Sequence, residues 1–115
     1  MSISYVGHSR LSVAATKAKI DFILGAHPEW FESILHMGPP RPFTLPFEPD
    51  ISRDFGIEAK CRFTLDIYDK ERFPECLNDA IDFTYRVFGT DDLVITFELD
   101  SIRKPAAQYP PMRLP

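Results

Sequence analysis

The chain has 115 residues, 44% of them apolar, and a formal net charge of −4 at pH 7. This length suits one compact domain that buries a core without disulfides or metals. No apolar run approaches the roughly 20 residues that cross a bilayer, and the N-terminus lacks the basic and then apolar pattern of a secretory signal. These properties argue against a membrane protein and favour a cytoplasmic globular one.

Negative charge is concentrated between Asp66 and Asp100. This segment has ten acidic residues against three basic ones, so it sums to −7 while the rest of the chain sums to +3. Charge of one sign gathered in one region steers encounter with an oppositely charged partner and excludes wrong ones. We therefore expect a basic protein partner and no nucleic acid, whose phosphates would be repelled.

The first half of the chain predicts a strand, a helix and a second strand. Residues 3–6 form a short extended run, Ser12 offers an N-cap oxygen to a helix, and Gly25 is a natural stop. The helix would bury side chains that recur at helical spacing, namely Val13, Thr16, Ile20, Ile23 and Leu24. Pro28 predicts a short helical turn, and residues 33–37 predict the second strand.

Residues 38–50 form a loop with five prolines between Pro39 and Pro49. Proline lacks the amide hydrogen and biases its predecessor towards extended geometry, so this segment is neither a helix nor a central strand. It contains the PxxP spacing of polyproline ligands twice. Three apolar side chains alternate through it and favour a loop attached to the core: Phe43, Leu45 and Phe47. Asp50 predicts the start of a short helix that ends near Gly56.

The second half predicts a strand, a helix, a strand and a tail. Apolar and polar side chains alternate over residues 58–68 and again over residues 92–100, as in half-buried strands. Pro74 fits the first turn of the intervening helix, and Gly89 ends it. Its inward stripe is Leu77, Ala80, Ile81, Thr84, Val87 and Phe88. Residues 105–115 contain four prolines and predict an extended or partly disordered tail.

This order of elements predicts an α+β fold in a single domain over residues 1–104. Two β-α-β halves normally pack as a ferredoxin-like split β-α-β sandwich, with a four-stranded, mainly antiparallel sheet and two main helices on one face. The other face of the sheet would meet solvent or a partner. The outward strand residues expected there are Arg62, Thr64, Asp66, Tyr68, Thr96, Glu98 and Asp100.

The sequence contains no phosphate-binding loop, dinucleotide-binding glycine pattern, nucleophile elbow or HExxH helix. We therefore expect no enzymatic activity, no cofactor and no metal. One catalytic alternative is His8 acting as a general base beside a carboxylate. Cys61 and Cys76 fit no metal-ligand spacing and are interpreted as buried apolar residues. Cys76 lies near a predicted helix N-terminus, where a thiol can become acidic, which makes it a redox alternative.

Some of the acidic residues have local explanations, since Glu71 and Glu75 lie at a helix start, where the dipole favours carboxylates. Carboxylates on neighbouring strands repel each other unless a basic partner compensates them, and an aromatic beside them is typical of a binding region. The predicted partner-binding residues are Asp66, Tyr68, Asp69, Asp79, Asp82, Glu98 and Asp100. Plain solvation of these charges is the alternative. Trp30 and Phe31 form a rival surface, for which a role in covering the core is favoured.

The order of elements resembles immunity proteins of bacterial contact-dependent growth inhibition and related polymorphic toxin systems. The similarity rests on the stretches SISYVGHSRL, HPEWFES and CRFTLDIYDKERFPECLNDAIDFTYRVFGTDDLVITFELD. The resemblance implies a non-enzymatic inhibitor that binds a cognate toxin domain, often a nuclease. Occlusion of a basic active site by the acidic face would be the mechanism, and the protein would be a monomer or weak dimer. The alternative is a small ligand-binding or regulatory ferredoxin-like domain.

Overall fold

The computed structural model describes residues 3–42, 59–97, 101–103, 105 and 107–112. Over these residues the chain is α+β, as predicted. The strands are β1 (Ile3–Ser9), β2 (Leu35–Met37), β3 (Arg41–Pro42), β4 (Cys61–Ile67), β5 (Leu93–Phe97) and β6 (Ser101–Arg103). The helices are α1 (Val13–Ala26), α2 (Pro28–Phe31) and α3 (Leu77–Phe88), and a 3₁₀ turn at Phe73–Glu75 precedes α3.

The described strands form one sheet in the order β2-β4-β1-β5-β6, with β3 on the same edge of β4 as β2. Every pairing is antiparallel. Over the described residues the sheet has six strands, so the predicted number of four is wrong and the ferredoxin-like form of the prediction is not confirmed. The additional strands, β3 and β6, have two and three residues, which is too short for a visible alternation. Pro42 is tolerated in β3 because an edge strand does not need every amide hydrogen.

Helix α1 begins and ends close to the predicted residues. The Ser12 hydroxyl accepts a hydrogen bond from the Ala15 N–H and caps the first turn. The helix continues to Ala26, one residue beyond the predicted stop at Gly25. It buries the predicted Thr16, Ile20 and Ile23, whereas Val13 is exposed.

Helix α3 has the predicted inward stripe, and all six of its side chains are buried. Pro74 lies in the preceding 3₁₀ turn and not, as predicted, in the first turn of the helix, which begins at Leu77. Gly89 ends it with φ at 90°, a conformation that favours glycine. A side chain at Gly89 would also approach the backbone nitrogen of Pro111 to 2.8 Å.

The two long helices pack on one face of the sheet. The Thr16 hydroxyl of α1 lies 2.8 Å from the Ser9 hydroxyl of β1 and 3.3 Å from the Cys61 sulfur of β4. On the same face, the Phe63 ring of β4 stacks on Phe88 of α3, with centroids 5.5 Å apart. The core therefore lies between this face of the sheet and the helices α1 and α3.

The described part of the predicted tail, residues 107–112, lies against α3. The Tyr109 hydroxyl donates to Asp82 at 2.8 Å, and the Met112 N–H donates to the Val87 carbonyl at 3.2 Å. The Lys19 ammonium of α1 donates to the carbonyls of Val87 and Met112, so it joins α1, α3 and this segment. It satisfies a carbonyl in the last turn of α3, where helix carbonyls lack intrahelical partners.

The predicted helix between Asp50 and Gly56 and most of the proline-rich loop lie outside the described residues. Within the described segments, the helices are too short or too polar to cross a bilayer.

Candidate protein-binding face

Strand β4 separates the core from the opposite face of the sheet. Cys61, Phe63, Leu65 and Ile67 are buried against the helices, whereas Arg62, Thr64 and Asp66 point the other way and are half-buried. This confirms the predicted alternation. The residues that face away from the helices on β4 and its edge strands, with Tyr68 beyond the end of β4, are here called the β4 face: His36, Arg41, Arg62, Thr64, Asp66 and Tyr68.

Part of the same side of the sheet is covered. His8 of β1 and Val94 and Thr96 of β5 are all buried, with Thr96 at 0% exposure. The expectation that Thr96 meets solvent or a partner is therefore wrong. Alternation along a strand shows which side a residue occupies but not whether that side is covered.

Asp66 is held in place by two hydroxyl groups. Ser4 lies directly opposite it on β1 and donates to one carboxylate oxygen at 2.6 Å. Thr64 lies on the same side of β4 and donates to the other oxygen at 3.3 Å. Hydrogen bonds to a carboxylate are stronger than those between neutral groups, so the carboxylate has a fixed orientation at the surface.

An exposed aromatic pair borders Asp66. The Tyr68 ring stacks on the His36 imidazole with centroids 5.4 Å apart and planes 3° from parallel. Tyr68 is 64% exposed, and His36 is Asp66's partner on β2. Rigid aromatic rings that remain exposed beside a charge are typical anchors of protein interfaces.

A cleft of about 530 Å³ opens on the β4 face. Its floor includes Arg62, Thr64 and Asp66 of β4, and its edge includes His36, Gly38 and Arg41. The lining thus combines two arginines and one aspartate with an aromatic side chain at the edge, that of His36.

Of the other predicted binding residues that the structure describes, Asp69 directly follows Tyr68, whereas Asp79 and Asp82 lie on α3. Asp69 accepts from the backbone N–H groups of Glu71 and Arg72, so it stabilises the turn after β4. Asp79 is exposed on α3, in the layer of helices beneath the other face of the sheet.

Asp82 lies on the same helix and is engaged within the domain. It accepts from the Arg86 Nε and from the Tyr109 hydroxyl, each at 2.8 Å. Glu98 and Asp100 lie outside the described residues.

His8 is a buried histidine rather than a group at the cleft. It is 1% exposed, its Nε2 lies 3.3 Å from the Thr96 hydroxyl, and its Nδ1 has no hydrogen-bond partner in the described part of the chain. Burial, and then the positive charge of Arg62, lower its pKa from 6.5 to about 4. It is therefore held neutral at pH 7, and the cleft lining does not include it.

The cysteines do not form an activated site. Cys76 is buried, and burial, followed by the charge of Glu75, raises the pKa of its thiol. A reactive cysteine requires the opposite shift, so the redox alternative has no support. Cys61 is buried against Thr16. Among the residues that the structure describes, no three metal-ligating side chains come together.

Sequence reasoning missed His36 and Arg41 as residues of this face. Both lie in short edge strands next to the proline-rich segment, where the alternation that places side chains is interrupted. Gly38-Pro39-Pro40, which separates the two strands, is the signal that could have indicated an irregular edge.

A cleft with charges of both signs and an exposed aromatic pair is typical of a protein-binding α+β domain. The chain belongs to the CDI System Immunity Component family, which matches residues 1–101. The resemblance to immunity proteins is therefore confirmed. None of the curated proteins matches the chain.

The fold is also found in a solved complex. A chain of the "CdiA-CT/CdiI toxin and immunity complex from Burkholderia pseudomallei" superimposes with a TM-score of 0.80. The match covers 89% of this chain and 97% of that chain, at 18% sequence identity. At this identity, the likeness shows a shared fold.

Proposed function

We propose that this chain is a non-enzymatic immunity protein that binds and neutralises a cognate toxin domain in the cytoplasm. Membership of the CDI System Immunity Component family supports the role, and the similar solved chain comes from a toxin and immunity complex. The observation that carries the site is the exposed Tyr68–His36 stack beside the oriented Asp66 carboxylate.

The proposed mechanism is occlusion of a basic active site, such as that of a nuclease. A nuclease needs lysine or arginine side chains to hold phosphate, and a carboxylate can pair with the same cations. Because Ser4 and Thr64 already orient Asp66, little conformational entropy is lost when such a pair forms. Tyr68 would supply the apolar contact that excludes water around it.

In this proposal the remaining predicted acidic residues do not contact the toxin in the same way as Asp66. Asp79 and Asp82 lie on the helical side, so they would contribute long-range attraction rather than direct contact with the same surface. Asp69 would lie at the edge of the contact, next to Tyr68. Glu98 and Asp100 stay in the proposal as sequence-based candidates.

A second candidate function is binding of a small ligand, because the cleft volume of about 530 Å³ lies in the range of ligand sites. A ligand that occupies the cleft would raise the melting temperature with the logarithm of its concentration above Kd. A toxin-neutralising protein would instead be stabilised by the toxin domain alone.

The deciding experiment is co-expression with the toxin domain encoded beside this chain. We expect the wild type to restore growth and Asp66→Lys to lose protection while the domain remains folded. Asp91→Lys makes the same charge change at an exposed turn residue outside the β4 face and should still protect. Failure of the wild type to protect would refute the function, and protection by Asp66→Lys would refute the site.

A further inference from the structure

Each carboxylate oxygen of Asp66 accepts one hydrogen bond within the described part of the chain. The Ser4 hydroxyl donates to Oδ1, and the Thr64 hydroxyl donates to Oδ2. A carboxylate offers about four lone-pair positions over its two oxygens. In the described residues, no ion pair joins Asp66 to a cation. Each oxygen can therefore accept a further hydrogen bond, and the two acceptor positions lie side by side.

The strand pairing places this carboxylate next to the aromatic stack. Asp66 lies directly opposite His36 in the register of β2 and β4. Opposite residues of an antiparallel pair point to the same side, with Cβ atoms about 4.5–5.5 Å apart. Tyr68 follows two residues later, about 7 Å along the chain, and its ring stacks on His36. A group that binds Asp66 is therefore within reach of the stacked rings.

Tyr68 presents one face of its ring to solvent. The other face lies against His36 with the planes 3° from parallel, and the side chain is 64% exposed. The face of a tyrosine ring attracts a cation within about 6 Å of its centroid. In the described residues, the cations that lie over aromatic rings are on other rings. The open face of Tyr68 is thus a second contact point for a positively charged group.

We propose that one arginine of the toxin binds here, with its guanidinium hydrogen-bonded to both oxygens of Asp66 and stacked on the open face of Tyr68. This inference rests on the proposed function and names the residue type that its site selects. A guanidinium is planar, donates two parallel N–H bonds to a carboxylate and stacks on aromatic rings. A lysine ammonium is a compact, strongly hydrated charge that matches neither feature. The site therefore discriminates arginine from lysine.

The arginines of this chain lie at the other end of the cleft. The edge chain advances four residues from Met37 to Arg41, whereas their partners on β4 are only three residues apart. This one-residue bulge places Arg41 opposite Arg62. Arg62 is four residues from Asp66, about 13 Å along the strand at ~3.3 Å per residue. That separation exceeds the Debye length of about 8 Å at physiological ionic strength, so a cation at Asp66 is only weakly repelled.

The test replaces each arginine of the purified toxin domain by lysine, one at a time, and measures the affinity for the full chain by calorimetry. One replacement should weaken binding to the wild type at least tenfold. The same replacement should weaken binding to Asp66→Asn less than threefold, because the charged partner is already lost. Asp91→Asn is the matched control: it removes the same charge at an exposed turn residue and should keep the full tenfold loss.

A second readout needs no toxin variant and decides the matter where one fails to fold. The toxin domain is labelled with ¹⁵N at arginine, and exchange of the guanidinium N–H groups with solvent is followed by NMR. One Nε–H should be protected in the complex with the wild type and lose this protection in the complex with Asp66→Asn. Thermal melting checks that each variant of this chain is folded.

The outcomes separate the two proposals. Tight binding by the wild type without an arginine that depends on Asp66 in either readout overturns the arginine site and leaves the proposed function intact. A toxin lysine that shows the dependence on Asp66 in place of an arginine also overturns it. Absence of binding by the wild type refutes the function and the site together.

Discussion

The ring of Tyr68 lies parallel to the imidazole of His36, with centroids 5.4 Å apart, on the side of the sheet that faces away from the helices. His36 comes from an edge strand, and Tyr68 follows the end of β4. The stack holds an otherwise exposed tyrosine in one orientation beside Asp66. An aromatic ring that is fixed before binding loses little entropy when a partner covers it.

Removal of this ring should affect binding and not stability. Because Tyr68 is 64% exposed, Tyr68→Ala should leave the melting temperature within about 2 °C of the wild type. Its affinity for the toxin domain should fall at least tenfold, about 1.4 kcal/mol or more, as for aromatic anchors at interfaces. Tyr68→Phe keeps the stacked ring and should lose less than half of that free energy. Equal affinities for the wild type and Tyr68→Ala would place the interface elsewhere.

The ring of Phe63 lies so close to Gly7 that only glycine fits at that position. A side chain at Gly7 would place its first carbon 2.3 Å from the Phe63 ring, which no ordinary contact permits. We expect Gly7→Ala to lower the free energy of unfolding by about 2 kcal/mol or more, as for an overpacked core. Gly25→Ala is the matched control: nothing lies within 4 Å of the added carbon, and the helix should gain up to about 1 kcal/mol.

Urea unfolding of both glycine variants measures these changes. A double variant that combines Gly7→Ala with Phe63→Leu tests the cause, because the smaller side chain relieves the contact. The double variant should then be more stable than the sum of the two single changes predicts. Simple additivity would show that the Phe63 ring is not the source of the strain.

Burial of His8 makes stability dependent on pH. Its pKa is lowered from 6.5 to about 4 in the folded protein, so between these values the unfolded chain binds more protons. This contribution is present in full above pH 6.5 and is lost as the pH falls towards 4, by up to about 3 kcal/mol. Urea unfolding between pH 4 and 7.5 measures it. His8→Gln should remove this part of the pH dependence, and an unchanged slope would contradict the assignment.

The thiols should be unreactive in the folded protein. Cys61 and Cys76 are buried, and the pKa of Cys76 is raised by burial, so little thiolate is present at pH 7.5. A colorimetric thiol reagent should modify neither in native buffer and both in 8 M urea. Cys76→Ser identifies which residue reacts. Rapid labelling of Cys76 in the native state would restore the redox alternative.

Local sequence was sufficient to predict the elements whose signals lie within one turn or one strand. The Ser12 cap and the α3 stripe that ends at Gly89 are examples, since their energies come from neighbours in the chain. The alternation on β4 was equally clear, because side chains reverse direction at every residue of a strand. Composition and the order of elements were enough for the resemblance to immunity proteins.

Only the tertiary structure decided which faces of these helices and strands are buried and which side chains they contact. Asp82 is engaged by Tyr109, 27 residues further along the chain, and Thr96 is buried on the side that its pattern assigns to solvent. The register that places Arg41 opposite Arg62 depends on a one-residue bulge. Periodicity in the sequence encodes the direction of a side chain. The burial of each face, the strand register and the side-chain pairing arise from contacts between segments that are distant in sequence, so the local sequence pattern does not reveal them.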